Sequence, residues 1–204
     1  MTTGEHSFSA DVFDGKATVL GGVEIAGMSH ISVSEIDRFE TDKIGSSGGK
    51  FGVGTYFALG NLKGETADDL VGRYESGDAV KHEAKAAGNF LVVDRKNVLA
   101  LNDDIRKVLG EPEPGFKSSI RNAPQLTTKL QAFQVNVQPI DGVIILMSDE
   151  DPSAEVIIMP GSTPKIEVER RSRSTDVPIK PASASSRIRY KGRGTTSRVL
   201  GDSH

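Results

Sequence analysis

The Cys and His content of the chain limits the chemistry that its sequence can support. It has no Cys, so thiolate nucleophiles, thiolate zinc sites and disulfides are excluded. Its His residues show neither HExxH nor any other metal-ligand spacing, and we expect no metal site. There is no GxSxG elbow, although a Ser-His-Asp triad assembled from distant residues stays open. The four His are His6, His30, His82 and His204.

A glycine-rich loop, TDKIGSSGGKFGVG at 41–54, runs into the β-prone segment TYFAL. It lacks GxxxxGK[ST] and precedes a strand rather than a helix, so it is not a P-loop. Gly52 and Gly54 would let the backbone approach another group closely, and Tyr56 would be presented at the start of the strand. An ordinary surface loop is the alternative interpretation.

Two further residues lie at the ends of predicted strands. His30 lies near the end of VEIAGMSHIS, and Glu155 opens the apolar run EVIIM. Taken alone, such a His is usually structural and such a carboxylate is usually solvated. Asp149 and Glu150 in the preceding loop are rivals for Glu155, which we prefer because it opens the strand directly.

The order of these features, a His, then a glycine-rich loop leading into Tyr56, then a Glu on a late strand, is informative. It resembles the His-Tyr-Glu branch of the ADP-ribosyltransferase superfamily, which includes the poly(ADP-ribose) polymerases and diphtheria-toxin-like proteins. The domains of bacterial and phage polymorphic toxins look most similar. The resemblance covers roughly residues 24–168 and is most specific in FGVGTYFAL. It implies an α+β fold with a split β-sheet core and helices between the strands.

The resemblance also implies NAD as the substrate and three catalytic residues. His30 would hydrogen-bond a ribose hydroxyl, and Tyr56 would stack on the nicotinamide ring, an attraction worth roughly 0.5–2 kcal/mol for a cation on an aromatic face. Glu155 would bind the nicotinamide ribose and stabilise the cation that forms as the glycosidic bond breaks. A fixed carboxylate is suited to this task because positive charge develops on the sugar.

Four further residues would complete the NAD site by the same resemblance. The backbone of Ile31 would hold the nicotinamide amide, and Ser32 lies where the family has Thr or Ser. Gly54 would lie under the cofactor, and Tyr74 would be a second stacking ring. The chain departs from the family at Ile31, where Gly is usual, and an alternative alignment replaces Tyr74 by His82 or an Ala.

The implied activity is mono-ADP-ribosylation of a macromolecule, more readily a protein than a nucleic acid, by a toxin or effector. An NAD glycohydrolase and an inactive binding protein on the same fold are the alternatives. We expect a monomer. We also expect no membrane segment, because no apolar run approaches the roughly 18 residues of a membrane span. The start of the chain is not a Sec signal peptide, so we expect a cytoplasmic protein or delivery by a non-Sec route.

The pattern of apolar residues predicts which elements position these residues. Strands are predicted at the His30, TYFAL, NFLVVD, NVLAL, DGVIILM, EVIIM and KIEVE segments. Helices are predicted at SVSEIDRFE, from ADDLVGRYES through AVKHEAKAA, at NDDIRKVL and at SSIRNAPQLTTKLQAF. Strands cluster late in the chain and helices lie between them, which indicates an α+β domain.

Composition divides the chain into three zones. Residues 1–20 are polar and weakly patterned, and residues 21–169 carry the periodicity of a folded domain. Residues 170–204 are rich in Arg, Lys, Ser and Pro, with too little apolar area to offset the entropy of ordering, so this basic tail is predicted to be disordered. The tail is either a solvated segment or an electrostatic arm that holds a nucleic acid or an acidic partner.

Overall fold

In the computed structural model the described residues form an α+β structure, as the sequence predicts, made mostly of strands. The predicted split β-sheet core is not confirmed, because five strands close into a barrel. The described residues are 6–8, 13, 15–40, 51–60, 71–112, 126–131, 133–135, 138–148, 151–174 and 188–190. The strands are β1 His6–Phe8, β2 Ala17–Ser32, β3 Thr55–Leu59, β4 Val80–Asp94, β5 Phe133–Val135, β6 Gln138–Pro139, β7 Gly142–Ser148, β8 Asp151–Ile158, β9 Ile166–Ser172 and β10 Ile188–Tyr190. The helices are α1 at residues 71–75, α2 Val98–Val108 and α3 Leu126–Leu130, with 3₁₀ turns at Arg95–Asn97 and Pro160–Lys165.

Five strands close into a barrel in the order β2-β3-β8-β7-β4, and β4 pairs again with β2. The pairs are antiparallel except for β4 with β7, which runs parallel. The first half of β4 also pairs with β9, and β10 extends the sheet along β2. A separate small sheet has the order β1-β5-β6.

The barrel wall separates two apolar clusters, because successive residues of a strand face opposite sides. On β7, Ile144 belongs to a cluster to which all five barrel strands contribute, and we call this cluster the barrel interior. Its neighbours Val143 and Ile145 belong to a second cluster, which also contains residues of α2 and α3. We call this second cluster the outer core. The continuous apolar run of β7 therefore reflects burial on both faces, as its sequence predicts.

A β-bulge in β2 changes which residues of this strand face the barrel interior. The pairing with β4 shifts register between Ile25 and Met28, and Gly27 within the shift has a φ of 74°. This left-handed conformation favours Gly, which pays no Cβ penalty there. Before the bulge, odd-numbered Val23 and Ile25 face the interior, and after it even-numbered Met28 does. After the bulge, even-numbered residues of β2 therefore face the barrel interior and odd-numbered residues face outward.

The segment AVKHEAKAA, predicted to continue a helix, is instead part of the long strand β4. Its buried residues alternate, with Val80, His82, Ala84 and Ala86 buried and the intervening side chains half-buried. Ala, Lys and Glu favour helices, but pairing with β2 on one side and β9 on the other outweighs this preference.

Two other element predictions are wrong. NVLAL, predicted as a strand, begins α2, whose buried residues Val98, Leu101 and Ile105 repeat with helical spacing. Residues 33–40, predicted as a helix capped by Ser34, contain bends without helical hydrogen bonding. Both His82 and Arg171 bond to the backbone of this segment, so tertiary contacts hold it in a non-helical course.

The domain boundary predicted at residue 169 falls inside β9, which continues to Ser172. In addition, Ile188–Tyr190 pair antiparallel with Val23–Ile25 of β2, so this part of the predicted disordered tail is a strand. Pairing with an existing strand edge supplies the hydrogen bonds that composition alone does not predict. The remaining tail residues, 175–187 and 191–204, lie outside the described part of the chain. Among the described helices, none has the length and apolar character needed to cross a bilayer.

Candidate active site

Tyr56 holds the end of the glycine-rich loop. Its hydroxyl donates to the carbonyl of Gly52 at 2.7 Å and accepts the N–H of Phe51 at 3.1 Å. Burial, together with the negative charge of Glu155, raises the pKa of Tyr56 to about 12, and the hydrogen bond from the Phe51 N–H partly opposes this rise. The phenol is therefore neutral at physiological pH, and its ring packs beside the outer core.

Helix α3 holds the same loop from the other side. The N–H and hydroxyl of Thr127 both donate to the carbonyl of Phe51, at 3.1 and 3.2 Å, and the hydroxyl also reaches the carbonyl of Val53 at 2.8 Å. Residues 51–53 are thus fixed between Tyr56 and α3, whereas residues 41–50 of the loop lie outside the described residues.

Gly54 is needed for a close approach between protein segments. A Cβ at this position would lie 2.5 Å from Cγ2 of Ile157 and 2.9 Å from the carbonyl oxygen of Ile158. The group that approaches Gly54 is therefore strand β8, and this contact accounts for the Gly without a ligand. Its predicted contact with a cofactor stays a prediction.

Glu155 lies in the middle of β8 and is half-buried. It pairs in register with Ala58 of β3, and Tyr56 pairs with Ile157, two residues further along β8. Residues placed this way are diagonal neighbours on one face of an antiparallel pair, within reach of long side chains. The effect of Glu155 on the pKa of Tyr56 agrees with this proximity. The rivals Asp149 and Glu150 lie outside the described residues.

His30 lies at one end of the barrel interior. Its ring centroid is 5.3 Å from that of Phe39, 5.6 Å from Phe57 and 6.2 Å from His82. The carbonyl oxygen of Tyr56 lies 2.8 Å from Nδ1. A carbonyl only accepts, so Nδ1 carries the proton in this bond and Nε2 of the neutral ring carries a lone pair. Burial lowers the pKa of His30, and the Tyr56 carbonyl partly opposes this effect.

The structure brings Tyr56 and Glu155 together and separates both from the imidazole of His30. Phe57, which contacts the His30 ring, faces the barrel interior, so the adjacent Tyr56 faces outward. His30 is connected to this site through the backbone carbonyl of Tyr56. The bulge in β2 places the His30 ring on the inner face. Without the bulge, even-numbered residues of β2 would face outward, and His30 would lie on the outer face.

Strands β2 and β3 separate close to these residues. Their register contains the single pair Ser29 with Ala58, and beyond it Ile31 and Ser32 pair only with β4. Within the described residues, no strand pairs with the other edge of Ile31 and Ser32. The hydroxyl of Ser32 donates to the carbonyl of Ser34.

Tyr74 lies on α1. Its hydroxyl is 3.3 Å from Oγ of Ser172 at the end of β9. His82, the alternative to Tyr74, lies in β4 opposite His30 and has no exposed surface. The sequence predicts a helix for this segment, and that prediction does not reveal His82 as the partner of His30. The alternation of VKHEAKA was the signal that could have revealed it.

No family model matches the sequence, and no curated protein matches it. Among the described residues, no group of three His, Asp or Glu side chains lies close enough together to hold a metal ion.

Proposed function

We propose that this protein cleaves the nicotinamide–ribose bond of NAD and transfers ADP-ribose to a protein. The observation that carries the proposal is the half-buried carboxylate of Glu155 beside the Tyr56 ring on one face of β3 and β8. The order of His30, the glycine-rich loop and Glu155 along the chain supports the same function, through its resemblance to the ADP-ribosyltransferase superfamily.

Each residue has a distinct role in the proposed reaction. The Tyr56 ring, anchored by two hydrogen bonds, offers a rigid aromatic face to the cationic nicotinamide. As the bond to nicotinamide breaks, positive charge grows on the ribose, and the nearby Glu155 carboxylate stabilises it. The electron pair of the broken bond leaves with nicotinamide, and a nucleophile of the acceptor then attacks the ribose carbon and gives up its proton.

The open edge of β2 supplies the second binding element. The carboxamide of nicotinamide has one carbonyl acceptor and two N–H donors. Such a group can form hydrogen bonds with the backbone at a strand edge that no other strand covers. Ile31 lies at such an edge, next to the point where β2 leaves β3. In this arrangement His30 contributes by holding the carbonyl of Tyr56 and, with it, the strand that carries the ring.

One observation favours a second candidate function, a protein that binds NAD or a related nucleotide without cleaving it. The His30 ring is packed among Phe39, Phe57 and His82 inside the barrel, on the side opposite Glu155. An imidazole in that position does not contact a ribose that lies beside Glu155.

The fate of NAD labelled in its adenylate half separates these functions. The wild-type protein and the Glu155→Gln variant are incubated with labelled NAD and a cell lysate, and proteins and small molecules are then separated. Label on a lysate protein, absent with the variant, supports the proposal. Free ADP-ribose without labelled protein supports a glycohydrolase, and binding by calorimetry without turnover supports the second candidate.

A further inference from the structure

The segment that follows β2, residues 33–40, is held at a single residue, Ile36, by two side chains from neighbouring strands. Nε2 of His82 accepts the N–H of Ile36 at 2.9 Å. Nε of Arg171 donates to the carbonyl of the same residue at 2.9 Å. Arg171 also pairs with Asp37 at 2.7 Å, while Glu35 lies 3.8 Å away. Both polar groups of Ile36 are thus fixed by groups distant in sequence.

These groups form one row across three strands. Arg171 of β9 pairs in register with His82 of β4, which pairs in register with His30 of β2. Residues directly opposite one another on paired strands point to the same face. Phe39, three residues after Ile36, packs edge-on against the His30 ring, with the two planes at 88°. Holding Ile36 therefore also holds the ring that covers His30.

The hydrogen bond to Ile36 determines the tautomer of His82. Since Nε2 accepts a backbone N–H, it carries the lone pair, and Nδ1 carries the proton of the neutral ring. That Nδ1 is buried without a hydrogen bond among the described residues. A buried unpaired donor costs stability, and a core of similar shape built from apolar side chains would avoid the cost.

We propose that His82 is a positioning residue, which accepts the Ile36 N–H so that residues 33–40 hold Phe39 against His30 and keep the edge of β2 in place for NAD. The catalytic part of this inference rests on the proposed function. The structural part, the hold on Ile36, is independent of any ligand.

Three variants of the full chain test the inference. His82→Leu removes the acceptor, and His82→Gln restores a neutral acceptor near the position of Nε2. Lys85→Gln is the control, because Lys85 lies on the same strand and pairs with Glu167 and Glu169, away from residues 33–40. Amide exchange of Ile36 by NMR and the kinetics of nicotinamide release from NAD are measured for each.

We expect the Ile36 amide to exchange about tenfold faster in His82→Leu, the usual effect of losing one net hydrogen bond. Exchange in His82→Gln and Lys85→Gln should stay near wild type. The KM for NAD should rise in His82→Leu and recover in His82→Gln, since a positional defect weakens binding. Global unfolding, followed in the same samples, separates a local effect from a loss of stability.

Unchanged Ile36 exchange in His82→Leu would overturn the inference, and so would a faster exchange that leaves the KM and kcat of an active enzyme unaltered. If the wild-type protein neither binds nor cleaves NAD, the proposed function fails by itself. The exchange of Ile36 and the tautomer of His82, read from imidazole ¹⁵N shifts, then still decide whether His82 holds this segment.

Discussion

Nδ1 of His30 donates to the backbone carbonyl of Tyr56 at 2.8 Å, although the two rings lie on opposite sides of the barrel wall. The hydrogen bond crosses the place where β2 and β3 part, because the register of these strands ends at Ser29 and Ala58. A buried imidazole thus fixes the backbone next to an outward-facing aromatic ring. His30 and Tyr56 are therefore connected by a hydrogen bond within the protein and not by contact with one ligand.

This link predicts different results for two variants of His30. In His30→Asn, the side-chain amide can replace Nδ1–H as a donor to Tyr56, whereas His30→Ala cannot. We expect the Kd for NAD, measured by calorimetry, to stay close to wild type in His30→Asn and to rise about tenfold in His30→Ala, the effect of losing one net hydrogen bond. If both variants lost affinity equally, we would conclude that Nε2 of His30 contacts NAD directly.

Glu155→Gln should lower kcat for nicotinamide release while leaving the KM for NAD nearly unchanged. The amide keeps the size of the carboxylate but removes the charge that stabilises the ribosyl cation, an effect of about 10²–10³ for one group. Nicotinamide release is followed by chromatography, with Glu167→Gln as a control, since Glu167 lies on β9 with 66% of its side chain exposed. A variant that retains the wild-type kcat would remove Glu155 from the site.

Tyr56→Phe tests the structural role of the phenol separately from its ring. The substitution deletes the bond to Gly52 and leaves the N–H of Phe51 without its acceptor, at a cost of about 1–3 kcal/mol in the free energy of unfolding. Urea denaturation measures this loss. The ring remains, so the affinity for NAD should change little once the variant is folded, and an unchanged unfolding free energy would contradict the observed bonds.

Gly54→Ala should destabilise the protein, because the added methyl would meet Ile157 and Ile158 of β8. Overpacking of this kind typically costs about 1–3 kcal/mol. Gly72→Ala is the control, since Gly72 lies in α1 with no atom within 4 Å of an added Cβ. Replacing Gly by Ala inside a helix favours folding by about 0.5–1 kcal/mol, so the two variants should shift Tm in opposite directions.

Acid should destabilise the protein through the buried imidazoles of His30 and His82. Burial lowers the pKa of both His30 and His82 in the folded state below the usual value near 6.5. Between the folded-state and unfolded-state pKa values, the unfolded chain binds more protons, so the free energy of unfolding falls as pH drops below about 6.5. The slope approaches about 1.4 kcal/mol per pH unit for each His.

Urea denaturation at pH 7.5 and pH 5 measures this dependence. The variant His82→Gln does not titrate at this position and should lose part of the slope, whereas Lys85→Gln should keep all of it. Equal slopes in wild type and His82→Gln would show that His82 has an ordinary pKa in the folded protein.

Several strands of the barrel could be predicted from the sequence, because β7 is a continuous apolar run, β8 ends in one and β3 follows a glycine-rich loop. Strand β4 could not, since its Ala, Lys and Glu residues favour a helix and only long-range pairing selects the strand. The structure places Glu155 and Tyr56 close together, and their roles toward NAD stay predictions. The orientation of His30 depends on one bulge near Gly27, and no alternation pattern in the sequence reveals where a strand changes face.

Strand β8 lies between β3 and β7, and Thr55 pairs with Ile158 from a remote part of the chain. During synthesis, β2, β3 and β4 emerge early, but the wall between β3 and β7 stays open until β8 is inserted. A fold dominated by such non-local pairs forms slowly, since distant segments must meet before their contacts stabilise it. Until then β3 exposes an edge to other chains, and coexpressed chaperones should raise the yield of folded protein.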